Sequence, residues 1–463
     1  MLAPAAGGLL VGLLLRYALT AKRTVAVPDV MEARVNGGRG LDLGQGMISA
    51  VTSALSLGCG GSAGREGPIV HLGASIAVAF SQNLNLPNAA RRTLLASGAA
   101  GAVAASFNAP IAGVLFAQEV ILGHFSIRTF VPLVLSSVVA TILSQAWFGD
   151  VAAFIVPSYS IASYLEVPAF ILLGITAALV AVIFQLTILS TDWVARNVNM
   201  PLVMRPVVGG LLVGIMAIWY PEVLGVGYDT TDAALKDQLA VGMMLLLIVL
   251  KTVATAITLS SRFGGGVFSP ALYLGAMTGG AFGLIAANVF PEVGSSEGLY
   301  AILGMGAVAA AVLGAPISTT VMVFELTGGF ELSLALLLTV AVANGINQAV
   351  LGRSLFQAQL ESRGIVLHEG PHRTIMKDLR VSAIMRPLAE DEPAALPEHD
   401  RERAIPANET LETALRTFDT LGAEALPVVD PHDRGRIVGW ISQTYALRAF
   451  NKELIAASVE EHR

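Results

Sequence analysis

A single cysteine, Cys59, rules out an intrachain disulfide framework and any cysteine-based zinc cluster. The seven histidines show no metal-ligand spacing, and nothing in the sequence calls for an enzyme or a resident cofactor. Charge is scarce: Asp, Glu, Lys and Arg make up 13% of the 463 residues, and the formal net charge of −6 argues against nucleic acid as a partner. Met1 runs directly into Leu-Ala-Pro-Ala-Ala-Gly-Gly-Leu-Leu, without the basic stretch that opens a secretory signal. Apolar residues fill the space these absences leave. They account for 54% of the chain, and a mean hydropathy of +0.68 excludes an ordinary soluble domain.

The charge is unevenly placed. Residues 361–463 hold 13 Lys/Arg and 18 Asp/Glu, half of all the charges in the protein. This break predicts a membrane domain over 1–365 and a water-facing region over 366–463. Within the first, a dozen or so apolar segments alternate with Gly/Pro-rich turns. A helix crossing lipid needs about 20 apolar residues, and several segments are shorter. Broken helices are tolerated at membrane depth only where protein buries them or a water-filled path runs alongside. The pattern predicts a transporter or channel.

An ionisable residue, Glu66, sits in Gly61-Ser-Ala-Gly-Arg-Glu-Gly-Pro68 with apolar sequence on both sides. A charge there is costly and marks a functional site. Glycines on either side let backbone approach a ligand closely, and Pro68 suits the first turn of a helix. A helix start presents free N–H groups and partial positive charge, which bind anions. A carboxylate at such a place can occupy the site when no anion does, which is a gate. The alternative, a surface glutamate paired with Arg65, leaves the rest of the pattern unexplained.

The rest of the pattern is an internal repeat. Gly7-Gly-Leu-Leu-Val-Gly12 returns letter for letter as Gly209-Gly-Leu-Leu-Val-Gly214, 202 residues later. Pro4 and Pro206 share that offset, as do Pro68 and Pro270, which close the loops Gly64-Arg-Glu-Gly-Pro68 and Gly265-Gly-Val-Phe-Ser-Pro270. Farther on, Ala109-Pro-Ile111 leads to Glu119 as Ala315-Pro-Ile317 leads to Glu325. Two such halves, often inverted, bring interrupted helix ends to one midplane ion site. The expected fold is an all-α polytopic membrane domain of two inverted halves of broken helices, with a small α/β domain behind it. The second half opens with an apolar helix near 166–190 whose counterpart would precede residue 1, so a first helix is expected to be missing.

The C-terminal region has a helical stretch from Glu409 to Phe418, buried-strand runs at Ala425–Asp430 and Arg436–Ser442, and a closing helix from Tyr445. Residues 388–404, rich in proline and charge, read as a flexible excursion.

The motifs Gly64-Arg-Glu-Gly-Pro68, Gly266-Val-Phe-Ser-Pro270, and Phe107-Asn-Ala-Pro110 leading to Phe116 and Glu119 resemble those of the CLC family of chloride channels and chloride/proton exchangers. The resemblance covers about 1–365, and the tail from Val381 to Ser442 resembles one CBS module. It implies that Glu66 is the gating glutamate, that its carboxylate competes with chloride, and that it carries protons in exchangers. It also implies that the backbone around Gly64, Arg65, Gly67, Gly266, Val267, Phe268 and Ser269 forms the anion sites. A homodimer in a lipid bilayer, in a prokaryotic plasma (inner) membrane, and adenine nucleotide at the CBS-like tail are further implications.

Three positions depart from the family pattern. The serine of its first anion loop aligns with Val25, and the tyrosine of its last membrane helix aligns with Phe356, so the central site lacks both usual hydroxyls. The internal proton acceptor of many exchangers aligns with Val120. Together these departures favour an anion channel, with chloride/proton antiport as the alternative and a non-conducting nucleotide sensor as a second alternative.

Overall fold

The computed structural model describes residues 2–36, 38, 40–149, 154, 159, 164–289, 296–327, 332–365, 376, 379–389, 392, 395–397, 403–431, 433 and 435–462. The chain separates into two compact units, Met1–Val366 and Leu367–Arg463.

The first unit is helical. Five helical spans among the described residues are long and apolar enough to cross a membrane: Ile127–Phe148, Val167–Asn197, Val241–Ser260, Phe268–Asn288 and Ser333–Glu361, the last broken at Gly352–Ser354. Shorter helices lie between them, as the Gly/Pro-rich interruptions predict. In the first half run α1 (Leu2–Tyr17), α2 (Val27–Val35), α3 (Leu43–Gly58), α4 (Glu66–Asn83), α5 (Asn88–Phe107), α6 (Pro110–Phe116) and α7 (Ile127–Phe148). The second half opens with α8 (Val167–Asn197) and runs through α9 (Met204–Trp219), α10 (Tyr228–Leu235), α11 (Val241–Ser260), α12 (Phe268–Val289), α13 (Glu297–Leu313), α14 (Pro316–Thr327) and α15 (Ser333–Leu351) to α16 (Leu355–Glu361).

The repeated letters are packing surfaces. Helices α1 and α9 cross so closely that a Cβ on Gly8 would lie 2.3 Å from the Pro206 carbonyl oxygen, and one on Gly210 would lie 2.2 Å from that of Pro4. The approach is reciprocal. Within each half the same device recurs: a Cβ on Gly73 of α4 would lie 2.4 Å from the Gly98 oxygen on α5, and one on Gly275 of α12 would lie 2.3 Å from the Gly304 oxygen on α13. Small residues allow close backbone contact where lipid gives helices no hydrophobic reason to associate.

The two Pro-led helices exchange their acids. Glu325 on α14 accepts from the N–H groups of Ile111 and Ala112 at the start of α6, at 2.9 and 2.7 Å. Glu119 accepts from those of Ile317 and Ser318 at the start of α14, at 3.0 and 2.7 Å. Each carboxylate satisfies two of the N–H groups a helix start leaves unpaired. Glu119 lies on Ala117–Leu122, where α6 widens into a π-helical turn.

The second unit carries a four-stranded sheet in the order β1-β4-β3-β2, with β1 Arg386–Pro387, β2 Ile405–Pro406, β3 Ala425–Val429 and β4 Ile437–Ser442. Strands β2 and β3 are parallel and joined through α18 (Leu411–Leu421), while the other pairs are antiparallel. A short α17 (Val381–Ile384) precedes β1, and α19 (Gln443–His462) follows β4. Thr410 caps α18 by accepting from the Thr413 N–H at 3.2 Å, one residue past the expected start. Val381, Leu411, Phe418, Leu426, Val428 and Ile441 form its core. Part of the expected flexible excursion is docked: Leu396 is buried against Val429 and Ile437, and its N–H donates to Gly435 O at 2.8 Å.

Candidate functional site

The two Gly-rich loops meet. Gly64 and Gly266 exchange backbone hydrogen bonds, each N–H to the other's oxygen at 2.7 Å. This bridge brings the starts of α4 and α12 together, and the 202-residue offset sets Glu66 in register with Phe268.

Glu66 is 1% exposed, and its carboxylate is surrounded by donors. Tyr228 donates its hydroxyl to Oε1 at 3.1 Å, the Ser269 hydroxyl donates to the same oxygen, and the Ser269 N–H approaches Oε2 at 3.4 Å. Glycine at 64 makes room, since a Cβ there would lie 2.5 Å from Oε2. A Cβ on Gly67 would lie 3.2 Å from the Ala26 Cβ and 3.3 Å from the Gly266 Cα, so this position too is closely walled. The Phe268 ring packs at 5.1 Å from that of Phe107 and 6.0 Å from that of Phe116. Arg65 points away from the carboxylate. It donates to Ser106 O at 2.9 Å, and its guanidinium lies 5.3 Å from the Tyr228 ring centre.

A cavity of about 120 Å³ leads to Glu66. Its lining includes Gly67, Phe116, Gly266, Val267, Phe268 and Phe356, together with Arg23, Arg196, Arg262, Arg363, Asp29 and Asp192. Asp29 joins two of these arginines, accepting from Arg23 at 2.5 Å and Arg363 at 3.1 Å, and from the Ala26 N–H at 2.8 Å. Burial opposes ionisation of Asp29, but the two arginines and the amide outweigh it and hold the carboxyl below its usual range. A second cavity, about 430 Å³, is lined by Tyr228 with Glu222, Asp229 and Thr230. Tyr228 therefore contacts Glu66 on one side and this second cavity on another.

The three departures fall in different places. Phe356 lines the cavity and is 4% exposed, so the missing hydroxyl there faces the path. Val25 is not among the described lining residues, whereas its neighbours Thr24 and Ala26 are, and the Val25 N–H donates to Ser49 Oγ at 2.9 Å. Val120 is buried in the π-helical turn, outside the described lining. Sequence reasoning missed Tyr228 and treated Ser269 only as backbone. The short run Gly225-Val-Gly-Tyr228 was the available signal, with glycines at φ +59° and +87° shaping the loop that delivers the tyrosine.

A family model described as voltage gated chloride channel matches residues 7–348. The H⁺/Cl⁻ exchange transporter ClcA of Cronobacter sakazakii is 34% identical over 313 residues, covering 66% of this chain and 67% of that one. The ClcA of Yersinia pestis is 33% identical over 328 residues, covering 69% and 68%. A ClcB-like protein of Ralstonia nicotianae, which carries a chloride-channel name, is 34% identical over 342 residues, covering 73% and 80%. Among solved structures, a slow cyanobacterial Cl⁻/H⁺ antiporter superposes with a TM-score of 0.72 at 24% identity, covering 78% of this chain and 86% of that one. A eukaryotic CLC transporter superposes at 0.70 and 21%, covering 96% and 88%. The ClcA exchangers overturn the expectation of a channel. The family's channel label extends to proteins named for exchange, so neither Val120 nor the lost hydroxyls make a channel.

Proposed function

Because the chain belongs to the voltage gated chloride channel (CLC) family, we propose that it exchanges chloride for protons across a membrane, with Glu66 as both gate and proton carrier. The observation that carries this reading is the buried Glu66 carboxylate, held by three donors at the meeting point of two helix starts. Donors that stabilise a carboxylate also suit a chloride ion, so the two compete for one place. Ionised Glu66 fills the site and blocks the path. Protonated, it loses most of its attraction to those donors and yields to the anion. Each exchange of occupant then moves a proton one way and a chloride the other.

Hydroxyls and backbone N–H groups hold an anion without a full positive charge, which keeps binding weak enough for release. The four arginines that line the 120 Å³ cavity outnumber its two aspartates and raise the local anion concentration. With valine at position 120, the proton's inner route uses no acid at that position.

We read the second unit as a single CBS-like module with adenine nucleotide as its candidate ligand, and the whole as a homodimer in a prokaryotic inner membrane. The deciding experiment is chloride efflux from proteoliposomes with simultaneous external pH recording. Wild type is expected to take up protons as chloride leaves, and Glu66→Ala to pass chloride alone. Chloride flux without proton movement in the wild type would defeat the antiport reading.

A further inference from the structure

A loop folded around a buried lysine ends at the hydroxyl that meets Glu66, and neither the gate nor its helix starts account for it. Lys251, on α11, is 0% exposed. Its ammonium donates to Val223 O at 3.0 Å and Gly225 O at 2.9 Å, and lies 5.0 Å from the centre of the Tyr273 ring. A buried cation demands such partners. Here the partners are backbone, so the lysine fixes a loop rather than a side chain. Two residues beyond Gly225 stands Gly227, where a Cβ would meet the Tyr273 ring at 2.7 Å and Lys251 Nζ at 3.3 Å. The next residue is Tyr228. Its ring is set by the edge of Phe154, at 5.3 Å, and by Arg65. Its hydroxyl therefore has a fixed position against Glu66.

We propose that Tyr228 is a latch for the gate: a positioning residue, placed by Lys251, whose hydroxyl holds ionised Glu66 across the anion path. The proposal rests on Glu66 being the gate. Two hydroxyls, from Tyr228 and Ser269, reach the carboxylate, whereas Phe356 offers none to the cavity wall. A hydrogen bond to an ionised group is lost or reversed on protonation, so the latch stabilises the closed state alone. Other charged groups face the site: Arg65 from α4, the Lys251 ammonium behind the loop, Glu222 and Asp229 at the second cavity, and the Asp29, Asp192 and arginine cluster along the first. Among the described residues, none of these makes a hydrogen bond or ion pair with the carboxylate. The latch hydroxyl does.

Tyr228→Phe tests the proposal because it keeps the ring and removes only the donor. Chloride efflux from proteoliposomes, measured from pH 4 to 9, is expected to fall as pH rises in the wild type. In the variant the midpoint should move about one pH unit upward, as the loss of a hydrogen bond to a charged group implies. Ser269→Ala should move it in the same direction. In a Glu66→Gln background, Tyr228→Phe should change nothing, since no carboxylate remains to be held. An unmoved midpoint in both single variants overturns the latch, and so does an equal effect in the Glu66→Gln background. Proton uptake recorded in the same vesicles tests antiport separately: chloride flux without proton movement defeats that reading, while the pH profile still decides the latch.

Discussion

The two halves of the membrane unit share a frame, and one of their matched positions differs in chemistry most sharply. Gly64 corresponds to Gly266, Gly67 to Ser269 and Pro68 to Pro270, and the glycines at 64 and 266 bond to each other across the site. Between them, the first half places Glu66 and the second places Phe268. The glutamate is held by hydroxyls and an amide, while the phenylalanine is packed between two other rings. A symmetric backbone can bind an anion from both sides. Only an unsymmetric titratable side chain can make the site respond to protons, so the exchange of Glu66 for Phe268 separates a binding site from a gate.

Glu66→Gln strikes at that difference and should have the largest effect. Proton movement is expected to disappear while chloride flux persists and loses its dependence on pH, read in proteoliposomes; retained proton coupling would mean that the asymmetry lies elsewhere. The next largest effect tests what the halves share. Gly73→Ala and Gly275→Ala each force a methyl against a backbone oxygen on the neighbouring helix. Each should cost about 1–3 kcal/mol, seen as a lowered melting temperature in detergent. If only one of them destabilises, the halves do not pack equivalently.

Glu119→Ala and Glu325→Ala remove the exchanged caps, and each should cost about 0.5–2 kcal/mol. Similar losses would show that the halves are matched in energy as they are in geometry. The smallest effect concerns the inner part of the path. Phe356→Tyr restores a hydroxyl to the cavity wall and should tighten chloride binding by about 1 kcal/mol, measured by calorimetry. Val25→Ser should do less, because Val25 does not line that cavity. Equal gains would mean that the Val25 side chain reaches the anion after all.

Much of this frame was legible in the sequence because it depends on residues with few substitutes. Close helix crossings admit only glycine, and a helix starting at membrane depth favours proline, so Gly7–Gly12, Pro68 and Pro270 repeat visibly. The cost of burying a carboxylate made Glu66 conspicuous. Tyr228 was not, since a tyrosine near an apolar segment is ordinarily an interfacial anchor and its contact with Glu66 spans 162 residues. Val120 misled because a residue type was read as a mechanism, whereas relatives named for exchange favour antiport. In the C-terminal unit, the strands Arg386–Pro387 and Ile405–Pro406 are too short to show an alternating pattern. Leu396 was hidden within a proline-rich stretch whose composition said nothing of its partners.

The exchanged caps also bear on how such a protein can be made. The N–H group of Ile111 receives its acceptor from a residue 214 positions later, which a membrane-inserting chain acquires only when its second half is synthesised. Until then the start of α6 stays uncapped, and the first half cannot reach its final state alone. Cut between α7 and α8, the chain would yield two fragments that each lack the other's carboxylate. Co-expressed, they should find each other; expressed singly, each should be recognised as unfinished and degraded.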